Sequence, residues 1–350
     1  MKPKLILFFI PALLISCSQG VKNNCLTVTN WNVQTFFDAN DDGIEYESFC
    51  ARSSKWSLES YKSRLKKLCD VIEKTDSDIF IMEEIENEKI IFDISNALSH
   101  NVWFKDKRYG YAAFCKEDSS SIGCAVLSRY EIKDIKLHSL DVRTEASDSP
   151  SMRPVMELTV CVGKDLKTPP FCIFVNHWKS KSGGEEKSEM WRLWQESVLA
   201  SRMSSASSYQ ERKVSGDSLS RVVFAAGDFN KDINDFLRDK NGRLYFSFLE
   251  KEKNKGIEIY SPWDDYNYSY SDDLVSAVQN SDYGTYYFRG KWEKIDHFFF
   301  TDSHVVKDFK IIDYPELLKD DRSPLRYEVY SNRGYSDHLP ITCTISYQEE

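Results

Sequence analysis

Hydrophobic and polar positions along the chain follow the two periods that distinguish helices from strands. Apolar residues spaced three and four apart predict two helices, one with Leu58, Tyr61, Leu65, Leu68 and Ile72 on a single face and one with Met190, Trp191, Trp194 and Val198. Short apolar runs bounded by turn residues predict strands at 26–33, 79–82, 112–114, 123–128, 153–162, 171–175, 222–226, 295–298 and 341–347.

The order of these elements indicates a layered fold. A helix followed directly by a buried strand, as at residues 58–82, is typical of an α/β layer. The runs between residues 112 and 175 are joined by short polar turns, which indicates hairpins and therefore antiparallel pairs. The pattern predicts an α/β (α+β) fold with mixed sheets.

The buried strand at 222–226 stops at a carboxylate, in the sequence Gly227-Asp228-Phe229-Asn230. Asp228 and Asn230 are two residues apart, so they leave the strand end towards the same side. A carboxylate can accept a proton or bind a metal, and an amide can orient a phosphoryl oxygen without adding charge. Because Asp and Asn after a strand are also ordinary turn formers, the other strand ends must decide between these interpretations.

Polar side chains also lie within or next to several other predicted strands. The list comprises Asn32, Glu83 with Glu84, His177, Asp296, and Asp337 with His338. Glu83 and Glu84 are consecutive, so alternation predicts that they point to opposite faces. We expect Glu84 to face the site with Asn32, and Glu83 to face away.

The N-terminal residues have the pattern of a signal peptide. Lys2 and Lys4 precede an apolar run at 5–15 that is too short to span a bilayer. Leu14-Ile15-Ser16-Cys17 resembles the lipobox of bacterial lipoproteins, which implies cleavage before Cys17, acylation of its thiol and a membrane anchor. The prediction is a signal peptide at 1–16, a lipidated tether at 17–25 and one domain at 26–350 in the bacterial cell envelope, on the outer membrane or cell surface. An ordinary secretory signal is the alternative.

Size and charge limit the remaining choices. Residues 17–350 suit one large domain or two small ones. The best candidate boundary, the polar segment 201–220, is interpreted as a surface loop rather than a linker. A net charge of −9 argues against a broad electrostatic footprint for nucleic acid. It leaves room for a phosphodiester held through a metal ion.

Eight cysteines follow Cys17. Cys115 and Cys124, and likewise Cys161 and Cys172, flank predicted turns, while Cys25 and Cys343 lie on the two terminal strands. Disulfides between these pairs and buried free thiols are both open interpretations.

The segment from Asp38 to Gly43 matches the opening of an EF-hand loop, Asp-x-Asn-x-Asp-Gly. Position twelve of such a loop would be Phe49, where a bidentate glutamate is required. The segment is therefore predicted to be a loop turn.

Taken in order, the polar motifs resemble those of the endonuclease/exonuclease/phosphatase superfamily, the deoxyribonuclease I and exonuclease III fold. The motifs are Trp31-Asn32-Val33-Gln34, Met82-Glu83-Glu84-Ile85-Glu86-Asn87, Met152-Arg153-Pro154, Asn176-His177, Gly227-Asp228-Phe229-Asn230, Ile295-Asp296-His297 and Ser336-Asp337-His338. The resemblance covers residues 26–347 and looks most like a secreted bacterial nuclease-like branch. It implies a four-layer sandwich, in which two mixed β-sheets pack face to face with helices outside.

The resemblance also implies a role for each matching residue in the in-line hydrolysis of a phosphodiester. Glu84 and Asn32 would hold an essential Mg²⁺ or Mn²⁺, with Asp337 as a nearby or second ligand; Asp228 and Asn230 would orient water and the phosphate; Asp296 would fix His338; and His177, with Arg153 beside it, would contact the phosphoryl oxygens. One residue departs from the family pattern, because Glu83 stands where a glutamine is usual.

Three functions remain open at this point. The first is a nuclease outside the cytoplasm, with DNA or RNA as its partner and a membrane reached through the lipid anchor. The second is hydrolysis of phospholipid head groups, as in sphingomyelinases, or of inositol phosphates, and the aromatic segment 260–292 keeps it open. The third, a non-enzymatic surface binding lipoprotein, is disfavoured because every expected catalytic position holds a competent side chain. No protein partner is implied.

Overall fold

The computed structural model describes residues 4–9, 25–50, 52–99, 109–140, 152–162, 170–208, 221–248, 256–266 and 282–347. Three helices lie in these ranges: α1 (Leu58–Thr75), α2 (Glu88–Ser99) and α3 (Glu185–Ser207). The strands are β1 (Lys4–Phe9), β2 (Cys25–Phe36), β3 (Ile79–Ile85), β4 (Tyr111–Lys116), β5 (Gly123–Ser128), β6 (Glu131–His138), β7 (Val155–Cys161), β8 (Phe171–His177), β9 (Val222–Asp228), β10 (Leu237–Arg238), β11 (Leu244–Ser247), β12 (Gly256–Ile259), β13 (Tyr286–Phe288), β14 (Lys291–Glu293), β15 (Asp296–Phe300), β16 (Val306–Ile311) and β17 (Ile341–Ser346).

Two large sheets form the body of the fold. The first has the strand order β1-β4-β5-β3-β2-β17-β16, and the second has the order β15-β9-β8-β7-β6. β2 runs parallel to β3, and β8 runs parallel to β9, whereas the other neighbours are antiparallel. A parallel pair needs a crossover, and α1 and α3 supply it in the two sheets. The predicted α/β sandwich of mixed sheets flanked by helices is confirmed.

Side chains along β2 alternate between the two faces of the first sheet. Trp31 and Val33 lie on the α1 side, where they share a small cavity with Leu68. Asn32, on the opposite face, reaches across to Asp228 of the second sheet. One face of β2 therefore packs on a helix, while the other places polar groups between the sheets.

Two segments are more regular than the sequence suggested. The polar segment predicted as a loop at 201–220 begins inside a helix, since α3 continues to Ser207; residues 209–220 lie outside the described ranges. The region after Asn230, in which the sequence pattern predicts no regular element, forms a small antiparallel sheet of β10, β11 and β12. Weak local periodicity hid both elements, because their stability comes from packing on the rest of the fold.

The N-terminal prediction is untested by the fold. Residues 4–9 form an edge strand on β4 in the full chain, and Cys17 lies outside the described residues. Cleavage and lipidation at Cys17 stay predictions. Within the described part of the chain, no helix is both long and apolar enough to cross a membrane.

Seven cysteines in the described ranges are free thiols: Cys25, Cys50, Cys69, Cys115, Cys124, Cys172 and Cys343. Strand register explains why two of the three pairs do not face each other. Cys172 lies opposite Thr159 rather than Cys161, and Cys343 lies opposite Val28 rather than Cys25. Cys115 and Cys124 do face each other across the β4–β5 hairpin, as predicted, but as thiols.

A charged cluster on the second sheet leads to a stability prediction. Glu157 accepts from His138 Nε2 at 2.7 Å and from Lys136 Nζ at 3.1 Å. The hydrogen bond with His138 and the charge of Lys136 lower the Glu157 pKa to about 2. A depressed carboxyl pKa stabilises the fold above the unfolded-state pKa, and this contribution disappears as the pH falls towards 2. Glu157→Gln should therefore destabilise the protein by about 1 kcal/mol near neutral pH.

Urea unfolding at several pH values tests this expectation, with Glu131→Gln on the exposed side of the same hairpin as control. The difference between wild type and Glu157→Gln should shrink between about pH 5 and pH 2. A difference that stays constant over this range would contradict the assigned cause.

Candidate active site

Strand ends from both sheets meet at one edge of the sandwich, around a cleft of about 1280 Å³. Its lining includes Glu84, Arg153, His177, Asp228, Asn230, Asp337 and His338. The two other predicted residues contact this lining directly, since Asn32 donates to Asp228 and Asp296 accepts from His338. All nine side chains predicted for catalysis, substrate and metal binding are thus brought together.

His338 and Asp296 form a buried pair. The Oδ2 atom of Asp296 accepts from His338 Nδ1 at 2.8 Å and from Thr285 Oγ1 at 2.5 Å. Burial alone would lower the His338 pKa, but the charge and hydrogen bond of Asp296, with Asp228 and Asp337 nearby, raise it well above its usual value. The imidazole therefore carries a proton, and its Nε2 lies 4.0 Å from Asp228 Oδ2.

Asp228 is held in place by its neighbours at the strand end. Its Oδ1 accepts from the Asn230 backbone at 2.8 Å, and its Oδ2 accepts from the side-chain amides of Asn230 and Asn32, each at 3.0 Å. Burial, and after it the negative charge of Asp296, raise the Asp228 pKa, whereas the charge of His338 and these hydrogen bonds lower it. The raising influences are stronger, and the Asp228 pKa is about 7. A carboxylate that titrates near neutrality can take up a proton from a nearby water.

The turn at Asp228 depends on an unusual backbone. Gly227 has a φ of 148°, and a Cβ there would lie 1.9 Å from the carbonyl oxygen of Asn176 on β8. Asn230 has a φ of 47°, in the left-handed region that asparagine tolerates better than most residues. The Gly-Asp-Phe-Asn motif is therefore both a turn former and a carrier of site residues.

His177 occupies the space between the two sheets. Its Nε2 lies 3.7 Å from Glu84 Oε1 and 3.7 Å from Asp228 Oδ2. Burial, and then the positive charges of Arg153 and His338, lower its pKa well below the ordinary value. His177 is thus a neutral hydrogen-bonding group, and its Nδ1 has no hydrogen-bond partner among the described residues.

Glu84 is positioned by a strained segment of β2. Its Oε2 accepts from the Thr35 backbone at 2.5 Å, and its Oε1 accepts from Asn32 Nδ2 at 3.2 Å. Gln34 and Thr35 have φ values of 55° and 44°, which non-glycine residues adopt at a cost. This irregular stretch turns the Thr35 amide towards Glu84.

Arg64 holds that segment in place, and sequence reasoning missed it. The residue lies on α1 and is almost completely buried, and its guanidinium donates to the carbonyl oxygens of Val33 at 2.9 Å, Thr35 at 3.0 Å and Gln34. The sequence does indicate that Arg64 is buried, because it lies three residues after Tyr61 and four before Leu68, on the apolar face of the helix. A charged residue on a core-facing stripe is rare unless it is paired.

The prediction that Glu83 points away from the site is wrong. The β2–β3 register places Glu83, not Glu84, beside Asn32, and neighbours in register project to the same face. Glu84 has a φ of 67° in an irregularity of the strand, so alternation fails there and Glu84 also reaches the cleft. Glu83 is fully buried below the cleft, with its Oε2 3.4 Å from Asn30 Nδ2.

The donor set suits a hard divalent cation. The Glu84 carboxylate has no lysine or arginine nitrogen within 4 Å among the described residues, and Asp337 lines the same cleft. Mg²⁺ is usually bound through one or two carboxylates together with substrate phosphates and water, so these two residues fit it. Asn32 is a weaker candidate as a ligand, because its Oδ1 accepts from the Gln34 backbone at 3.0 Å.

The chain belongs to the Endonuclease/Exonuclease/phosphatase family, whose sequence model matches residues 27–346. Family membership makes the protein an enzyme that hydrolyses phosphoester bonds, of the divalent-metal-dependent phosphodiesterase or nuclease type. Among curated proteins, none matches the chain in sequence.

Solved structures share this fold at low sequence identity. The truncated Caenorhabditis elegans TDP2 structure is 14% identical with a TM-score of 0.53, over 92% of this chain and 98% of that one. An endonuclease/exonuclease/phosphatase family protein from Bacteroides thetaiotaomicron is 18% identical with a TM-score of 0.52, over 93% and 98%. A Bacteroides vulgatus endonuclease/exonuclease/phosphatase is 15% identical with a TM-score of 0.50, over 93% and 99%. At these identities the likeness concerns the fold alone.

Proposed function

We propose that this protein is an extracytoplasmic nuclease that cuts phosphodiester bonds in single-stranded DNA or RNA. The observation that carries the proposal is the lining of the cleft, where aromatic and basic side chains accompany the catalytic groups. Tyr46, Tyr286, Phe288, Arg289, Arg326 and Tyr330 line it. Aromatic faces stack on bases and cations follow the phosphate backbone, which is how single-stranded nucleic acid is held without base specificity.

Tyr286 connects this lining to the chemistry. Its ring centroid lies 4.8 Å from that of His338 and 6.2 Å from that of Phe288, so the rings lead from the solvent edge to the catalytic histidine. Phe288 is 47% exposed and Tyr330 is 79% exposed. A single-stranded nucleic acid whose bases stack on these rings would bring one of its phosphates to the floor of the cleft.

The reaction follows from the charge states of four side chains. Asp228 accepts a proton as water attacks phosphorus, and Asn230 keeps its carboxylate oriented. Neutral His177 and the guanidinium of Arg153 donate hydrogen bonds to the phosphoryl oxygens, while protonated His338 offers a proton from Nε2 as the bond to the leaving oxygen breaks. A divalent ion held by Glu84 and Asp337 would supply Lewis-acid polarisation of the phosphoryl group.

A substrate panel tests the proposal. Purified protein lacking residues 1–16, with Mg²⁺ or with Mn²⁺, is incubated with single-stranded DNA, RNA, duplex plasmid, sphingomyelin and inositol phosphates. Single-stranded nucleic acid should be the preferred substrate, and Tyr286→Ala should raise its KM more than it lowers kcat. Faster hydrolysis of sphingomyelin or of inositol phosphates would replace the nuclease assignment with a head-group or inositol-phosphate phosphoesterase.

The proposed location rests on the Leu-Ile-Ser-Cys sequence at the N-terminus. Cys17→Ser should leave hydrolysis unchanged and release the protein from membranes, because the acyl chains supply the anchor. Fractionation of expressing bacterial cells, followed by a high-salt wash, measures the change. Substituted protein that stays in the membrane fraction would contradict lipidation.

A further inference from the structure

A second group of carboxylates lies beside the active site, in the loop that follows β2. Oxygen atoms of Asp42, Glu45 and Glu86 all lie within 4.8 Å of one another. Asp42 and Glu45 come from the loop, whereas Glu86 comes from the turn between β3 and α2. Glu45 accepts from the Asp42 backbone through Oε1 at 2.5 Å and from the Gly43 backbone through Oε2 at 2.8 Å. Each oxygen of this anionic carboxylate keeps a further lone pair for an ion. The tertiary fold therefore adds a third acid to this loop.

Glu86 has a carboxylate oxygen without a partner. The residue is fully buried; its Oε2 accepts from the Asp38 backbone at 2.7 Å, but its Oε1 has no hydrogen-bond partner among the described residues. Leaving a buried carboxyl oxygen unsatisfied is costly, so such an atom indicates a missing donor or cation.

The lysines and arginines close by are paired with other acids. Arg52 lies 3.4 Å from Asp41, and Lys89 lies 4.0 Å from Asp38 and 2.6 Å from Asp93. Within the described residues, no lysine or arginine nitrogen comes within 4 Å of Asp42, Glu45 or Glu86. The charge of Lys116 also acts on Glu86, but from beyond 4 Å, so among the described residues the three acids converge without a direct ion pair to a lysine or arginine.

We propose that Asp42, Glu45 and Glu86 bind a Ca²⁺ ion, separate from the catalytic metal. Carboxylate oxygens are the ligands that Ca²⁺ prefers, and its ligand distances of about 2.3 to 2.6 Å allow two ligands to lie up to about 5 Å apart. Mg²⁺ demands near-ideal octahedral geometry and keeps several waters, so three carboxylates drawn from two separate segments suit the larger, more flexible coordination shell of Ca²⁺ better.

The site differs from an EF-hand although the loop begins like one. The first residue of the motif, Asp38, uses its carboxylate on the backbone and side chain of Asn40, at 2.6 and 2.8 Å. Phe49, at the twelfth position, packs against Phe37 and Trp56 in the core. Glu86 therefore supplies, from another part of the chain, the acid that the loop lacks.

A bound ion would join the loop to the catalytic edge of the first sheet. Tyr46, Ser48 and Phe49 of the loop line the active-site cleft, and Glu86 lies two residues after Glu84. An ion coordinated by Glu86, Asp42 and Glu45 together would therefore fix one wall of the cleft. The role of this Ca²⁺ is to order the substrate channel rather than to take part in the chemistry.

Calorimetric titration of the chelator-treated protein with Ca²⁺, without substrate, tests the site independently of any activity. The Glu84→Gln background weakens the catalytic metal site, so that remaining binding reports on the second site. One Ca²⁺ should bind per chain with a Kd of about 10⁻⁴ to 10⁻³ M, typical of extracellular calcium modules, and Tm should rise with Ca²⁺. Adding Glu86→Gln or Asp42→Asn should weaken binding at least about tenfold and remove the Tm rise.

Two controls keep the outcomes separate. Glu47→Gln, an exposed acid of the same loop outside the group, should bind Ca²⁺ as the background does. Glu86→Gln keeps an oxygen for the Asp38 amide, and its Tm in chelator shows whether it folds. Asp42→Asn, at an exposed position, tests the loss of Ca²⁺ binding without disturbing a buried residue. Unchanged Ca²⁺ binding in both variants, tighter binding of Mg²⁺ than of Ca²⁺, or no saturable binding up to about 10 mM would overturn the proposal.

Discussion

Replacing His338 with alanine is expected to lower phosphodiester turnover about 10²- to 10⁴-fold, the usual effect of losing positioned proton transfer. The side chain is held protonated by Asp296 and points its Nε2 towards Asp228. Asp228→Ala should cause a loss of similar size, because it removes the group that accepts the proton of water. Steady-state kinetics on one oligonucleotide substrate measures both.

The pH dependence separates a chemical role of His338 from a structural one. Asp296 raises the His338 pKa, so Asp296→Asn should lower it and move the alkaline limb of the rate profile to lower pH. His304→Ala, at an exposed histidine, serves as control and should change neither rate nor profile. Near-wild-type turnover of folded His338→Ala would remove the proposed acid from the mechanism.

The second large effect should distinguish the two adjacent glutamates of β3. Glu84→Gln removes an anionic oxygen that a hard cation prefers, so activity should collapse and the Mg²⁺ concentration needed for half-maximal rate should rise steeply. Glu83→Gln should leave the rate nearly unchanged, because Glu83 lies below the cleft and outside its lining. The measurement is a titration of rate against Mg²⁺ for both variants.

Glu83 should instead affect stability. Burial, and then Cys124, Asp296 and Asp228, raise its pKa well above the ordinary value. A raised carboxyl pKa stabilises the fold fully below the unfolded-state pKa, and that stability is lost as the pH rises through the folded-state pKa. Wild type should lose stability relative to Glu83→Gln as the pH rises from about 5, by roughly 1.4 kcal/mol for each unit of pKa difference.

Urea unfolding in chelator over this pH range gives the comparison, and Glu88→Gln at the start of α2 is a control on a helix. A stability difference that does not grow with pH would show that Glu83 is not the buried acid described. A Glu83→Gln variant more damaging to the rate than Glu84→Gln would exchange the roles of the two residues.

The sequence by itself determined the layered architecture and the membership of the active site. Apolar periodicity is a local property, so α1 and most of the strands were readable from spacing alone. The nine site residues were also predictable, because each follows a predicted strand or lies in a motif with a known resemblance. Strand ends of neighbouring strands meet at one edge of a sheet whatever the details of packing.

Only the tertiary structure decided which groups face each other. The directions of Glu83 and Glu84 depend on strand register and on one left-handed residue, and neither follows from the order of the residues. The same dependence on register separates Cys172 from Cys161 and Cys343 from Cys25. Arg64 on α1 binds the backbone of β2, and Glu86 joins two acids of a loop about 40 residues earlier in the chain. Their roles arise only when helix, strand and loop are packed together.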